Sequence, residues 1–214
     1  MKIEIIKSEI DKIDLTHLVD NITRDDHKKI IVSRAGLEHY KLLAYLSKQM
    51  NNSIIVELGT HHGTSCLCLC ENESNAVITY DLTSRKFGLK KIPNNLTRYI
   101  GNIFDINPEI LIKSSLIFLD TSHEGEFETK VFNYLVENDY KGILLLDDIY
   151  YNNIMINFWN SIKLPKYDIT SVGHGVYIEY EYNDDTLIES DYKLTGKSGT
   201  GLVDFNNNVS KILL

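Results

Sequence analysis

The sequence predicts an α/β fold built on a doubly wound, mostly parallel sheet, and three observations carry that prediction. Short apolar runs alternate with helix-length segments along the 214 residues, as strands joined by helical crossovers do. The runs LIFL and ILLL show little polar alternation, which fits strands buried on both faces. Acids close four of the runs, at Glu57, Asp81, Asp120 and the pair Asp147-Asp148, and in open parallel sheets ligands lie beyond such carboxyl ends.

Residues 1–50 are expected to be a helical segment. Within them RAGLEHYKLLAYLSKQM, Arg34 to Met50, carries Leu37, Leu43, Ala44 and Met50 at near-helical spacing and predicts one helix beside the first strand. That strand opens IIVELGTHHGTS, Ile54 to Ser65, an apolar run that reaches Glu57 and passes into Gly59 and Gly63. The first glycine permits a tight turn, and the second lets backbone approach a ligand with no Cβ between them. The next helix begins with free N–H groups that suit an anion, while Glu57 suits a cationic amine. A purely structural turn also uses two glycines. The spacing matches neither G-x-G-x-x-G nor the phosphate loop ending in Gly-Lys-Ser/Thr. Further strands are read in AVITYD, TRYIG, SSLIFLD, GILLLDD and YDITSVG, the last reaching Gly173. No repeat or low-complexity tract divides the chain, so one domain is expected over 1–214.

Composition narrows the function. A net charge of −8 would repel a phosphate backbone, which argues against nucleic acid as partner. No apolar run is long enough to span a bilayer, and MKIEIIKSEID has no signal-peptide core, so a soluble cytoplasmic protein is expected. Cys66, Cys68 and Cys70 fall in CLCLC with no second ligand pair nearby, and are read as reduced, packed thiols.

Asp81 follows Glu57 by 24 residues, near the distance at which an acid ending the second strand accepts hydrogen bonds from ribose hydroxyls. Its competing role is a helix cap. Taken in order and spacing, IIVELGTHHGTS, the acid of TYDL, FLDTSHEGEF and LLLDDI resemble class I S-adenosylmethionine-dependent methyltransferases over residues 34–174, and GTGLVDF is similar to their seventh strand. The likeness is greatest to metal-dependent small-molecule and sugar O-methyltransferases of the macrocin and cephalosporin-pathway type. It implies a Rossmann-like methyltransferase fold, seven strands with the last antiparallel, and S-adenosylmethionine as methyl donor. It also implies that Glu57, Gly59, Thr60, Gly63 and Ser65 surround the methionine end, with Asp81 at the ribose and Asp120 touching the cofactor. Asn102, in YIGNIFD, falls where the family often has an acid or polar residue beside the adenine. Asp120, Asp147 and Asp148 take the place of the family's ligands for Mg2+ or another divalent cation.

Chemistry gives the acid trio a reason of its own. A sugar or catechol hydroxyl holds its proton too tightly near neutral pH to attack well, and coordination to a hard cation lowers that pKa; oxygen ligands suit magnesium. His123 is the general-base candidate, with Asp120 and Asp148 beside it in the catalytic set. Similar enzymes often read Asp-Gly-Asp-His where this chain has Asp120-Thr121-Ser122-His123, so no second acid shares that loop position. The alternatives are a capping or surface role for His123, solvated loop positions for His61 and His62, and a helix cap for Asp147-Asp148. The expected acceptor is a small hydroxylated molecule, a sugar or glycoside. Residues 175–198, rich in tyrosine and acids, form an insertion longer than a hairpin needs. It is either a flap presenting Tyr177, Tyr180 and Tyr182 to the acceptor, or an edge strand, VYIEYEY, that pairs in a homo-oligomer.

Overall fold

Successive residues of the central strands pack into different layers, and that alternation explains the unbroken apolar runs. Ile55, Leu116, Phe118, Ile143 and Leu145 join one buried cluster, while Val56, Ile117, Leu119, Leu144 and Leu146 join the other. The structure, a computed structural model, describes residues 2–84, 87–175, 182–183, 186–187 and 198–214.

Its elements in chain order are β1 (Ile3–Ile6), α1 (Lys7–Ile10), a 3-10 turn (Thr16–Asn21), α2 (Asp25–Ile31), α3 (Tyr40–Lys48), β2 (Ile54–Leu58), α4 (Thr64–Leu69), β3 (Ala76–Asp81) and β4 (Leu96–Ile100). Then come α5 (Ile103–Ile106), α6 (Glu109–Lys113), β5 (Leu116–Leu119), α7 (Glu126–Glu137), β6 (Ile143–Leu146), α8 (Asn153–Ser161), β7 (Lys166–Asp168), β8 (Tyr182–Asn183), β9 (Thr186–Leu187), β10 (Gly201–Asp204) and β11 (Val209–Leu213). The seven-stranded sheet has the order β4-β3-β2-β5-β6-β10-β7. It is parallel except at β10, which runs antiparallel to β6 and β7. Strand order reverses between β2 and β5, so the ligand crevice of such a sheet lies beyond their carboxyl ends.

Three expectations need correction. The helix read over Arg34 to Met50 begins only at Tyr40. Gly36 has φ +85, and a Cβ there would lie 2.5 Å from the Ser171 carbonyl oxygen, so the preceding residues turn against the loop after β7 and are not helical. Residues 1–50 are not wholly helical either: β1 pairs in parallel with β11, burying Ile3 and Ile5. The last strand read in YDITSVG stops at Asp168, whose Oδ1 accepts the Thr170 N–H at 3.0 Å. The Val172 and Gly173 N–H groups then both bond to the Ile169 carbonyl, making a turn.

Cys66, Cys68 and Cys70 are buried free thiols. Among the described residues no helix is long and apolar enough to cross a membrane. The expected flap or oligomer strand, with Tyr177 and Tyr180, lies outside the described residues; for Tyr182 only the backbone pairing of β8 with β9 is described.

Candidate active site

The glycine turn is held by the chain's own backbone. Gly59, at φ +106, donates its N–H to the Tyr80 carbonyl at 2.8 Å. A Cβ there would fall 1.6 Å from the Asp120 carbonyl oxygen. Gly63, at φ +88, faces the Phe87 ring, which a Cβ would approach to 2.2 Å. Chain packing against Phe87 therefore requires a glycine at position 63. Thr60 and Thr79 hydroxyls lie 2.5 Å apart, and Thr79 donates to Glu57 Oε2, also at 2.5 Å. Glu57 is fully buried with Oε1 unpaired. Burial pushes its carboxyl up to about 7, against the pull of the Ser65 and Thr79 hydroxyls.

Asp81 ends β3 as expected, and it braces the turn. Its Oδ2 accepts the His61 N–H at 2.8 Å, and its Oδ1 accepts the Thr83 N–H at 2.8 Å and hydroxyl at 3.0 Å. Burial would raise its pKa, but these N–H and O–H donors outweigh it and hold the carboxyl below its ordinary value. A carboxylate has about four acceptor positions, so capacity for hydroxyl donors remains. Asn102 caps α5 through the Phe104 N–H at 3.0 Å; the neighbouring Gly101 N–H reaches the Asp81 carbonyl at 2.8 Å, so both residues share one corner. The N-terminal segment covers the turn: Arg24 Nη1 meets His62 Nε2 at 2.6 Å, and His27 Nδ1 meets the Thr64 hydroxyl at 2.7 Å. Neither contact was read from the sequence, and neither has a spacing signal.

The other acids converge beyond β5 and β6. His123 Nε2 lies 3.5 Å from both Asp120 Oδ1 and Asp148 Oδ2. Burial would lower the His123 pKa, but Asp120 first and then Asp148 raise it. Both His123 (φ +56) and Asp148 (φ +54) are non-glycine residues in left-handed backbone, a costly state that needs support from its surroundings. Glu128, unnoticed in the sequence, gives that support: it accepts the Thr121 hydroxyl at 2.6 Å, the His123 N–H at 3.1 Å and the Gly125 N–H at 2.9 Å. Asn152 donates to the His123 carbonyl at 2.8 Å and caps α8 through the Met155 N–H. The cap of α8 is thus Asn152, not Asp147-Asp148. Ser198, before β10, donates to Asp148 Oδ1 at 2.5 Å.

Three more residues enter the same cluster: Glu38 and His39 from the Gly36 turn, and His174 from the loop after β7. His39 Nδ1 is 3.5 Å from Glu38 Oε2 and 3.7 Å from Asp147 Oδ2. His174 Nδ1 is 3.5 Å from Asp147 Oδ2 and from Asp148 Oδ1, and its Nε2 is 3.6 Å from Glu38 Oε1. Burial would lower both imidazole pKa values, but Asp147 and its neighbouring acids outweigh it, raising His39 to about 9 and His174 to about 10. The two imidazoles in turn hold Asp147 well below the usual carboxylate range, while burial and Asp147 push Asp148 up. Glu38 is raised by burial. The sequence reading absorbed Glu38 and His39 into a helix and gave His174 no role in the site, because no spacing relates positions 38, 147 and 174.

No protein-family model matches the sequence, and no curated protein is similar to it in sequence. Solved structures are similar in fold. The precorrin-6y C5,15-methyltransferase of Geobacter metallireducens shares 9% identity at a TM-score of 0.57, over 91% of this chain and 98% of that one. A putative O-methyltransferase from Klebsiella pneumoniae shares 14% at 0.52, over 93% and 89%. The O-methyltransferase from Bacillus cereus, solved in complex with SAH, shares 13% at 0.52, over 77% and 80%. These likenesses show the fold alone, a Rossmann-like α/β architecture with a mostly parallel seven-stranded sheet.

Proposed function

We propose that this chain is an S-adenosylmethionine-dependent O-methyltransferase that transfers a methyl group to a hydroxyl of a small molecule, a sugar or glycoside, with help from a divalent cation. The observation that carries the reading is the meeting of two half-sites: Gly59 of the glycine turn abuts Asp120, and Asp120 shares His123 with Asp148. The naming of similar folds as O-methyltransferases supports it. The choice of a sugar rests on the likeness of FLDTSHEGEF and LLLDDI to sugar O-methyltransferases. A soluble, cytoplasmic protein without nucleic-acid or membrane partners belongs to the same reading, on its net charge of −8 and lack of long apolar runs.

The residues fit both absent groups. Asp81 retains acceptor capacity for ribose hydroxyls, and Glu57 Oε1 is a buried acceptor without a partner. Asp147 Oδ1 is likewise a buried acceptor without a partner, next in the chain to the Asp148 carboxylate. When bound, S-adenosylmethionine supplies an electrophilic sulfonium methyl and a divalent cation acidifies the acceptor hydroxyl. Asp120, Asp147 and Asp148 are the oxygen ligands in this reading. His123 takes the hydroxyl proton at Nε2, and the carboxylates on either side stabilise the imidazolium that results. Contact between the half-sites limits the distance the reacting groups must cover.

Calorimetry with S-adenosylhomocysteine tests the donor site, and labelled S-adenosylmethionine with a panel of sugars and phenols tests transfer. Absence of any cofactor binding would defeat the reading. A second reading has His123 working without a cation, and its 3.5 Å approach to Asp120 supports that pair. Full activity in EDTA would select it. A cofactor-binding module without transfer would bind S-adenosylhomocysteine and methylate nothing. Homo-oligomerisation through VYIEYEY would appear as a concentration-dependent mass.

A further inference from the structure

The carboxylate trio is not the best-formed donor set at this sheet edge. Two carboxylates each meet both imidazoles: His39 Nδ1 and His174 Nε2 lie 3.5 and 3.6 Å from Glu38 Oε2 and Oε1, and His39 Nδ1 and His174 Nδ1 lie 3.7 and 3.5 Å from Asp147 Oδ2. Those spacings exceed the usual N–H···O distance of about 2.9 Å. Ligand atoms of Glu38, His39 and His174 lie within 4.8 Å of one another, as do those of His39, Asp120 and Asp147 and those of Asp147, Asp148 and His174.

A second observation is independent of the clustering. His39 and Asp147 are only 4% and 3% exposed, yet His39 Nδ1 and Asp147 Oδ1 make no hydrogen bond. Leaving such groups unmade is costly. His39 Nδ1 lies 3.5 Å from Glu38 Oε2, so an ion bound there would engage the imidazole and that carboxylate. Two imidazoles among the ligands also alter which ion is preferred. Magnesium takes oxygen ligands, whereas imidazole nitrogen suits zinc, copper, iron and nickel.

We infer that Glu38, His39 and His174 bind one divalent transition-metal ion through mixed nitrogen and oxygen ligands, in preference to magnesium. The ion's role in methyl transfer rests on the proposed function; its binding rests on this geometry alone.

The test is titration of the metal-free full chain with Co2+, followed by visible absorption and calorimetry, and then with Zn2+, Mn2+ and Mg2+ by calorimetry. One Co2+ per chain is expected, held at least about 100-fold more tightly than Mg2+. His39→Gln and His174→Gln should each weaken Co2+ at least about 10-fold and alter its visible band. Equal affinity for Mg2+ and Co2+, or an unchanged Co2+ spectrum in both variants, would overturn the inference and leave the carboxylate trio as the cation site. A thiolate charge-transfer band would overturn it by placing the ion on cysteine. No ion binding at all would overturn it together with the cation part of the proposed function, while S-adenosylhomocysteine binding would still report separately on the methyl-donor site. Should either variant fail to fold by circular dichroism, the Co2+ to Mg2+ ratio of the unaltered chain decides.

Discussion

Around the glycine turn most polar groups are paired within the chain, Asp81 to His61 and Thr83, and Glu57 to Thr79 and through it to Thr60. Around Asp147 the buried acids and imidazoles stand 3.5 to 3.7 Å apart, with donor and acceptor atoms left over. The first region is assembled chiefly from one strand-turn-helix passage and its neighbouring strand, so its bonds are satisfied locally. The second draws on the Gly36 turn, the ends of β5 and β6, and the loops before β10, and leaves His39 Nδ1 and Asp147 Oδ1 without a hydrogen bond. The difference teaches that a passage of adjacent residues satisfies most of its polar groups locally, whereas a site built from distant segments brings charged groups together without pairing them all.

The largest expected effect comes where the two regions touch. Gly59→Ala should break both, because the new Cβ would meet the Asp120 carbonyl and the residue would keep φ +106. A loss of more than about 4 kcal/mol is expected in denaturant unfolding, with cofactor binding and turnover lost together. Near-normal stability would mean that the regions are less tightly joined than this contact implies.

Asp147→Asn should separate them, cutting turnover by about 1,000-fold while sparing affinity for S-adenosylhomocysteine. An active variant would remove Asp147 from the chemistry. Glu57 offers a pH test on the glycine side. Its folded pKa, about 7, lies above the ordinary 4.5, so between those values the folded state holds a proton that the unfolded state releases. Stability from this group therefore falls as pH rises from 4.5 to 7 and then levels off. The loss amounts to about 3 kcal/mol, and Glu57→Gln should remove it. Parallel stability curves for the two proteins across that window would refute the assignment.

Asp81→Ala is expected to weaken S-adenosylhomocysteine by about 10- to 100-fold, as loss of charged hydrogen bonds does, with kcat at saturating donor little changed. A fall confined to kcat would move Asp81 to the other region. The smallest effect is expected for Glu128→Gln, which perturbs the support of His123 without touching the acids themselves. Turnover should drop about 10-fold and its pH profile shift, with donor affinity intact; loss of stability alone would make Glu128 merely structural.

Much of the fold was legible because burial repeats along the chain. LIFL and ILLL become β5 and β6, and the acids after them emerge at the sheet edge as expected. Helix periodicity misled at Arg34 to Met50, since the apolar spacing of α3 continues backward past Gly36 while the close approach to Ser171 forbids a helix there. Residue order also could not reveal that Phe87 packs against Gly63, or that Glu128 holds the loop carrying His123.

By itself the sequence determined the layered sheet, the glycine turn, and which strand ends carry Glu57, Asp81, Asp120, Asp147 and Asp148, because each is set by hydrophobic period or by residues adjacent in the chain. Only the tertiary structure decided that Glu38, His39 and His174 share the space around Asp147. Their convergence depends on how the Gly36 turn packs against the loop after β7, a contact across more than a hundred residues that leaves no periodic trace.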